Sequence, residues 1–592
     1  MHFSKKHTLI PLTLIIICIV FRGFFLYSMR VYPLANFCQA LAMELLTDNP
    51  LELHYSIAYP EKLGLENLSN NLTAFQTDYY LEGRTHWENK LQEFAGIIPA
   101  KSNARDTFLY QLLGRYLELQ VESFDYPYYE NPLACSGGVH SQLPILLSEY
   151  AFRSLEDIEN YFVLLSQIPE YLNGLALYAQ NQEINGIYLY KGGLEKVAAQ
   201  CLELFPQTQL EAGEHLLQTS FKARLEDLSQ NQQALTEKEL SDYAARNDAL
   251  LKNTIAPAYT KLAAAIGALT GSDTLSGLSS YPKGQDYYAF LLEANTGSAR
   301  SVEEIKSMLF KRYDSLYREL QNLLSQADFP EDEEFPLTSH REMLSQLHQC
   351  SQEDFPALSQ NDLETSCRVQ LKNVHSALAS MSAPAFYMTP PLDDNNSHTI
   401  YINPDAQMDG LELYTTLAHE GFPGHLYQTV YSQNALTKEN APLLRHLLYY
   451  GGFTEGWAVY AELYSYDYAA KVWGEAYTAQ ILLERCQREI QLCLCCILDI
   501  YIHYDGASLK QVESLLGKLG LQPENALSVY EAICDSPANY PKYYVGYLEI
   551  LDLRETAQNL WKETYSDYKF HQWLLETGGG DFGSLKRLLA DS

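Results

Sequence analysis

Two histidines and three glutamates with the makings of a hydrolytic centre lie close together in this chain. His419 and Glu420 fall in Leu-Ala-His-Glu-Gly-Phe-Pro-Gly-His, which ends on His425, and Glu455 and Glu462 fall in Thr-Glu-Gly-Trp-Ala-Val-Tyr-Ala-Glu, thirty residues on. Neutral imidazoles and a carboxylate are the ligands of a catalytic zinc site, which keeps one position open for water. A glutamate beside the first histidine is placed to take a proton from that water, as in H-E-x-x-H enzymes. His419, His425 and Glu455 are therefore the candidate zinc ligands, and Glu420 the candidate general base.

The spacing needs a physical account. The usual motif sets its histidines four apart on one helical face; here they are six apart, roughly 240° of turn and about 9 Å along an ideal helix. No straight helix brings both rings to one ion. Pro423 and Gly424 stand between them. Proline has no N–H for the carbonyl of His419 four residues back, and its ring clashes there. The expectation is a kink or bulge that returns His425 to the ion. The plainer alternative is a surface helix that stops at Pro-Gly and carries two unrelated histidines. Glu455 and Glu462 are seven apart and so share a helical face, on a segment that also carries Trp457, Val459 and Tyr460. Burying carboxylates there is costly unless they are paired or ligated. Glu462 is the candidate for a hydrogen bond that orients one of the histidines.

These segments and their order resemble a bacterial family called domain of unknown function 885, with its H-E-x-x-P-G-H and E-G-W-A motifs. Similar blocks occur at Gly138-Val-His-Ser-Gln-Leu-Pro, Asp157-Ile-Glu-Asn-Tyr, Tyr281-Pro-Lys-Gly-Gln-Asp-Tyr-Tyr, Pro390-Pro391 with Ile400-Tyr-Ile-Asn, and Tyr543-Tyr-Val-Gly-Tyr-Leu-Glu. The resemblance implies a largely helical zinc metallopeptidase. The chain departs from the family pattern in two places. Pro537-Ala-Asn-Tyr-Pro-Lys-Tyr-Tyr-Val-Gly stands for P-G-Q-A-x-x-Y-x-x-G, and Asp499-Ile-Tyr-Ile-His-Tyr-Asp-Gly-Ala for D-x-G-x-H-x-x-G-W. By position, Tyr543 and His503 are the candidate donors to the oxygen that gains charge during amide hydrolysis. Asp499 is a candidate hydrogen-bonding support for the ligands.

The remaining elements must position these groups. Ser154-Leu-Glu-Asp and Ser301-Val-Glu-Glu read as helix-opening capping boxes followed by apolar stripes. Strand signals are few; the best is Thr399-Ile-Tyr-Ile-Asn, just ahead of the metal motif. An exposed edge there suits an extended peptide. The expected fold class is mainly α: a large helical metallopeptidase-like unit spanning residues 31–592, two lobes around a cleft with zinc on its floor, a small β element before the metal helix, and a lobe boundary near 271–284.

The chain has 592 residues, 47% hydrophobic and 19% charged, with a net charge of −33. That supports a substantial core and argues against nucleic-acid partners, since no basic cluster is long enough to grip phosphates. Residues 1–30 carry Lys5-Lys6 and an apolar run interrupted by Arg22, which reads as an export signal or membrane anchor. Ile17 stands where lipidation at Cys18 would want a small residue. Cys493, Cys495 and Cys496 read as small apolar groups in a buried helix, Cys350 and Cys367 as a disulfide candidate, and Asn67 and Asn71 as glycosylation matches. The function expected is an extracytoplasmic zinc-dependent hydrolase of peptides or small amides, membrane-attached if its N-terminal segment is retained. Its rivals are hydrolysis of another amide or ester, and an inactive surface-anchored peptide-binding protein.

Overall fold

The computed structural model describes residues 33–65, 72, 79–97, 104–231, 234–326, 335–358, 368–375, 379, 382–395, 397–519 and 525–591. The N-terminal segment 1–30, Asn67, Asn71 and Cys367 lie outside these. Helices dominate, with one small sheet. Helix α1 (Leu155–Ile184) opens on the expected capping box, Ser154 and Asp157 each satisfying the other's backbone N–H. It buries Ile158, Phe162 and Leu165 on one stripe. Helices α2 (Gly284–Thr296) and α3 (Val302–Gln326) follow. Ser301 and Glu304 cap α3 reciprocally, at 2.8 and 3.3 Å, and Ile305, Leu309 and Leu316 are its buried side. After α4 (His340–Asp354) come the strands β1 (Arg368–Asn373), β2 (Ala385–Met388) and β3 (Ser397–Ile402).

The strand read from Thr399–Asn403 is not an edge. β3 is central, parallel to β1 on one side and antiparallel to β2 on the other. The edge that faces the metal helix belongs to β2. Side chains alternate across a strand, and here the two faces serve different cores. Ile400 and Ile402 pack with Leu411, Leu417 and Leu426. Tyr401 packs with Val374, Tyr161 and Phe221 in a core otherwise drawn from residues before 267. Its hydroxyl donates to Glu149 Oε2 at 2.5 Å.

Beyond the sheet lie α5 (Gly410–Glu420), α6 (His425–Lys438), α7 (Gly451–Trp473), α8 (Thr478–His503), α9 (Asn539–Trp561) and α10 (Asp567–Thr577). Helices α7 and α9 cross with their backbones touching. A Cβ on Gly456 would lie 2.4 Å from the Gly546 carbonyl carbon, and one on Gly546 would lie 2.1 Å from the Gly452 oxygen. Glycine is obligatory at this crossing because the approach leaves no room for a side chain. It brings the face of α9 that carries Tyr543 beside the face of α7 that carries Glu455. Helix α8 lies on α3, with Cys493 and Cys486 thiols at 3.4 and 3.3 Å from the Leu309 and Leu316 carbonyls. Cys493 and Cys496 are fully buried and Cys495 partly so, and none of the described cysteines forms a disulfide.

Candidate metal centre

His419 and Glu420 end α5, and His425 begins α6. The expected kink or bulge within one helix is instead a clean stop and restart. The chain turns through Gly421–Gly424 with a cis Phe422–Pro423 bond. The Gly424 N–H donates to the Ala418 carbonyl at 2.9 Å, and a Cβ on Gly424 would fall 1.8 Å from the His419 oxygen. Only glycine permits this fold-back. The Trp457 Nε1–H, from α7, donates to the Pro423 carbonyl at 2.9 Å and so holds the turn from the far side. The tryptophan is fully buried.

The two imidazoles therefore meet despite their spacing, ring centroids 4.9 Å apart and nearly perpendicular. Glu455 Oε2 lies 3.3 Å from His425 Nε2 and 3.9 Å from His419 Nε2. Glu420 Oε1 is 4.0 Å from His419 Nε2, and His419, Glu420 and His425 offer ligand atoms all within 4.8 Å of one another. Ligand bonds of about 2.1 Å at tetrahedral angles would set donor atoms about 3.4 Å apart, and Glu455 Oε2 comes near that spacing from both Nε2 atoms. His419 Nδ1–H donates to Glu462 Oε2 at 3.0 Å, and Arg488 Nε, from α8, donates to Glu462 Oε1 at 2.7 Å. That pair fixes the His419 tautomer and leaves the Nε2 lone pair for an ion.

The charges are tightly coupled. Burial alone would lower His419, but the Glu462 hydrogen bond and the carboxylates of Glu420, Glu462 and Glu455 raise it to about 9. Burial would raise Glu455, yet hydrogen bonding to His425 and the charges of His425, His419 and Lys542 bring it to about 2. Glu462 is likewise brought to about 2, against its burial, by Arg488 and His419. The cluster's carboxylates favour positive charge at the point where the ring nitrogens converge.

Glu420 is buried, and its Oε2 accepts the Tyr387 N–H of β2 at 2.8 Å. Tyr543 joins the centre, its ring 6.4 Å from that of His419. Burial, then the negative charge of Glu455 and Glu420, pushes its hydroxyl far above the ordinary range, so it stays a proton donor. His503 does not join. Its Nδ1 accepts the Leu278 N–H at 3.1 Å and its Nε2 donates to the Ile533 carbonyl at 2.9 Å. Burial lowers it to about 4. With both nitrogens spent on backbone it has no N–H for a substrate, which corrects its reading as a donor. Asp499 is also elsewhere. Its Oδ1 accepts from the Tyr288 hydroxyl at 2.7 Å and the Ala538 N–H at 3.1 Å. It supports the residue preceding α9 rather than a histidine of the centre.

Sequence reasoning missed Arg488, Tyr387, Tyr449 and Lys542. Arg488 carried a signal, a cation in the mostly apolar helix that follows Glu462. Tyr387 acts through its backbone, which no residue type announces. The Tyr449 hydroxyl lies 3.5 Å from Glu455 Oε1, and Lys542 precedes Tyr543 on α9.

A family model described as a bacterial protein of unknown function (DUF885) matches residues 60–587. Two solved structures share the fold. One, described as a "putative lipoprotein" from Colwellia psychrerythraea, has a TM-score of 0.79 at 18% identity and covers 94% of this chain and 98% of its own. The other, a "putative lipoprotein of unknown function" from Shewanella oneidensis, has a TM-score of 0.62 at 18% identity, covering 94% and 99%. At that identity the likeness speaks to the fold alone. No curated protein matches the chain in sequence.

Proposed function

Because the chain belongs to the DUF885 family, a bacterial family whose description assigns no function, we propose from its own residues that it is a zinc-dependent hydrolase that cleaves peptide bonds outside the cytoplasm. The observation that carries the reading is the convergence of His419 Nε2 and His425 Nε2 on Glu455 Oε2, with Glu462 holding the far side of His419. His419, His425 and Glu455 would hold the ion. Bound there, it supplies Lewis acidity, which makes water nucleophilic at neutral pH and polarises the scissile carbonyl.

The chain's own groups do the rest. Glu420 takes the proton from the attacking water and passes it to the departing amide nitrogen. Its Oε2 rests on the Tyr387 N–H, which leaves Oε1 for that proton. Tyr543 donates to the carbonyl oxygen as it gains charge. An extended peptide laid beside β2 would run past Glu420 and find the main-chain groups that the strand does not already spend on Glu420. Location outside the cytoplasm is supported by the apolar N-terminal segment and by the descriptions of the two similar structures as lipoproteins.

Glu420→Gln tests the assignment. The variant is expected to bind zinc as the parent does and to lose peptide cleavage by roughly 10²–10⁴-fold. Metal content is measured on the purified protein, and cleavage of a peptide library is followed with and without a chelator. Full activity in the variant removes Glu420 as the base. A wild-type protein that neither binds a divalent metal nor cleaves peptides ends the hydrolase reading.

A further inference from the structure

We propose that Lys542 receives a carboxylate of the substrate beside the metal centre, so that peptides carrying a negative group near the scissile bond are preferred. The assignment rests on the hydrolase reading for its context, but its own observations are independent of it. Lys542 lies in the first turn of α9, next to Tyr543. Its stem is seated against Gly451 in the first turn of α7, one helical turn before Glu455: a Cβ on Gly451 would meet Lys542 Cδ at 2.8 Å and Cγ at 3.1 Å. Its ammonium lies 5.1 Å from the centroid of the Tyr543 ring and is among the charges felt by Glu455.

The other charges near the ligands have partners. Glu462 is answered by Arg488 and His419, and Glu455 by the two histidines. Lys542 enters no ion pair among the described residues, in a chain of net charge −33 where carboxylates are plentiful. With a divalent ion in place, the ion, Glu455, Glu420 and the Glu462–Arg488 pair sum to zero, and Lys542 leaves one positive charge unanswered. A partly buried ammonium held by its stem at such a place is matched by an incoming anion, and a charge-assisted hydrogen bond rewards that match. The anion is a carboxylate on a peptide, from either its C-terminus or an acidic side chain.

The test reads binding in Glu420→Gln protein loaded with zinc, so that turnover does not intrude. Two matched peptide pairs are titrated calorimetrically: a short neutral peptide with a free against an amidated C-terminus, and an amidated peptide with Glu against Gln at one position. At least one carboxylate-bearing peptide is expected to bind roughly tenfold or more tightly than its neutral twin. In Glu420→Gln, Lys542→Met that gap should shrink roughly fivefold or more, and Lys542→Arg should restore it. The pair that shows the gap identifies the source of the carboxylate. Equal binding of both twins in each pair, no binding of any of the four peptides, or a gap that shrinks by less than this in Lys542→Met overturns the assignment. Should Lys542→Met fail to fold, Lys542→Gln takes its place under the same criteria. The two readings fail differently: cleavage by the wild type without any preference removes Lys542 alone, whereas a Lys542-dependent preference in a protein that cleaves nothing removes the hydrolase.

Discussion

Glu462→Gln tests the hydrogen bond that, in the proposed zinc site, would present His419 to the ion. The native carboxylate is buried and accepts two bonds, from His419 Nδ1 at 3.0 Å and Arg488 Nε at 2.7 Å. Glutamine keeps the shape but offers one accepting oxygen and one donating NH₂. The charged guanidinium is the stronger claimant for the oxygen, which turns the amide NH₂ towards Nδ1. His419 must then carry its proton on Nε2, the nitrogen that faces Glu455 and would face the ion. Loss of such an orienting partner typically weakens metal affinity 10–100-fold, about 1.4–2.7 kcal/mol. Competition against a chromogenic zinc chelator measures it, with circular dichroism to verify that the variant is folded. Zinc affinity within twofold of the parent, in a folded Glu462→Gln protein, would refute both the tautomer argument and the role of His419 as a ligand through Nε2.

Further outcomes follow from other parts of the structure. His54, His503 and His571 are buried and lowered, chiefly by that burial, to about 3, 4 and 4. At these three sites the folded chain therefore binds fewer protons than the unfolded one below pH 6.5, and stability should fall from pH 6.5 to 5 by up to about 2 kcal/mol per histidine. Asp499, raised by burial to about 7, acts in the opposite sense, since it stays protonated in the fold where the unfolded carboxyl has ionised. His419, raised to about 9, adds a smaller contribution in the same sense as Asp499, and the three lowered histidines outweigh both, leaving a net loss on acidification, read by melting temperature against pH; a melting temperature that rises as pH falls through this range would contradict it. Gly456→Ala places a methyl 2.4 Å from the Gly546 carbonyl carbon and should cost about 1–3 kcal/mol in urea unfolding or more, along with zinc affinity; an unchanged midpoint would mean the helices do not cross as described. Trp457→Phe keeps most of the ring but deletes the bond to the Pro423 carbonyl, for a loss of about 1 kcal/mol, and should weaken zinc binding because the turn between the histidines loses its outer support. Isothermal titration with zinc checks it, and unaltered affinity would deny that role.

The centre was legible where side-chain type and spacing carry the chemistry. Glutamates seven apart must share a face, and the structure turns both towards His419, one to each ring nitrogen. The abnormal histidine spacing forecast a break at Pro423, but not its form. A bulge and a full stop look alike in sequence, and what decides between them is the contact of Gly424 with the His419 carbonyl. His503 shows where matching by pattern fails. Its ring is bonded to the backbone of Leu278 and Ile533, distant segments whose approach no local signal reveals. The strand before α5 was visible from its β-branched and aromatic residues. Its central place was not, because a six-residue parallel partner, Arg368–Asn373, has no periodicity of its own to announce it. The helix caps at Ser154 and Ser301 were readable because each is completed within four residues.

The sheet's position between two cores has a consequence for Glu420. A slip of one residue along β3 would move Tyr401 into the core that holds Ile400 and Ile402, and those two into the core that holds Tyr401, so the alignment of the strands is locked from both sides at once. β2 is paired to β3 in that locked alignment, with Tyr387 opposite Ile400, and it is the Tyr387 amide that grips Glu420. The aim of one carboxylate is thus set by packing on both faces of the sheet, and residues from the first half of the chain help to set it.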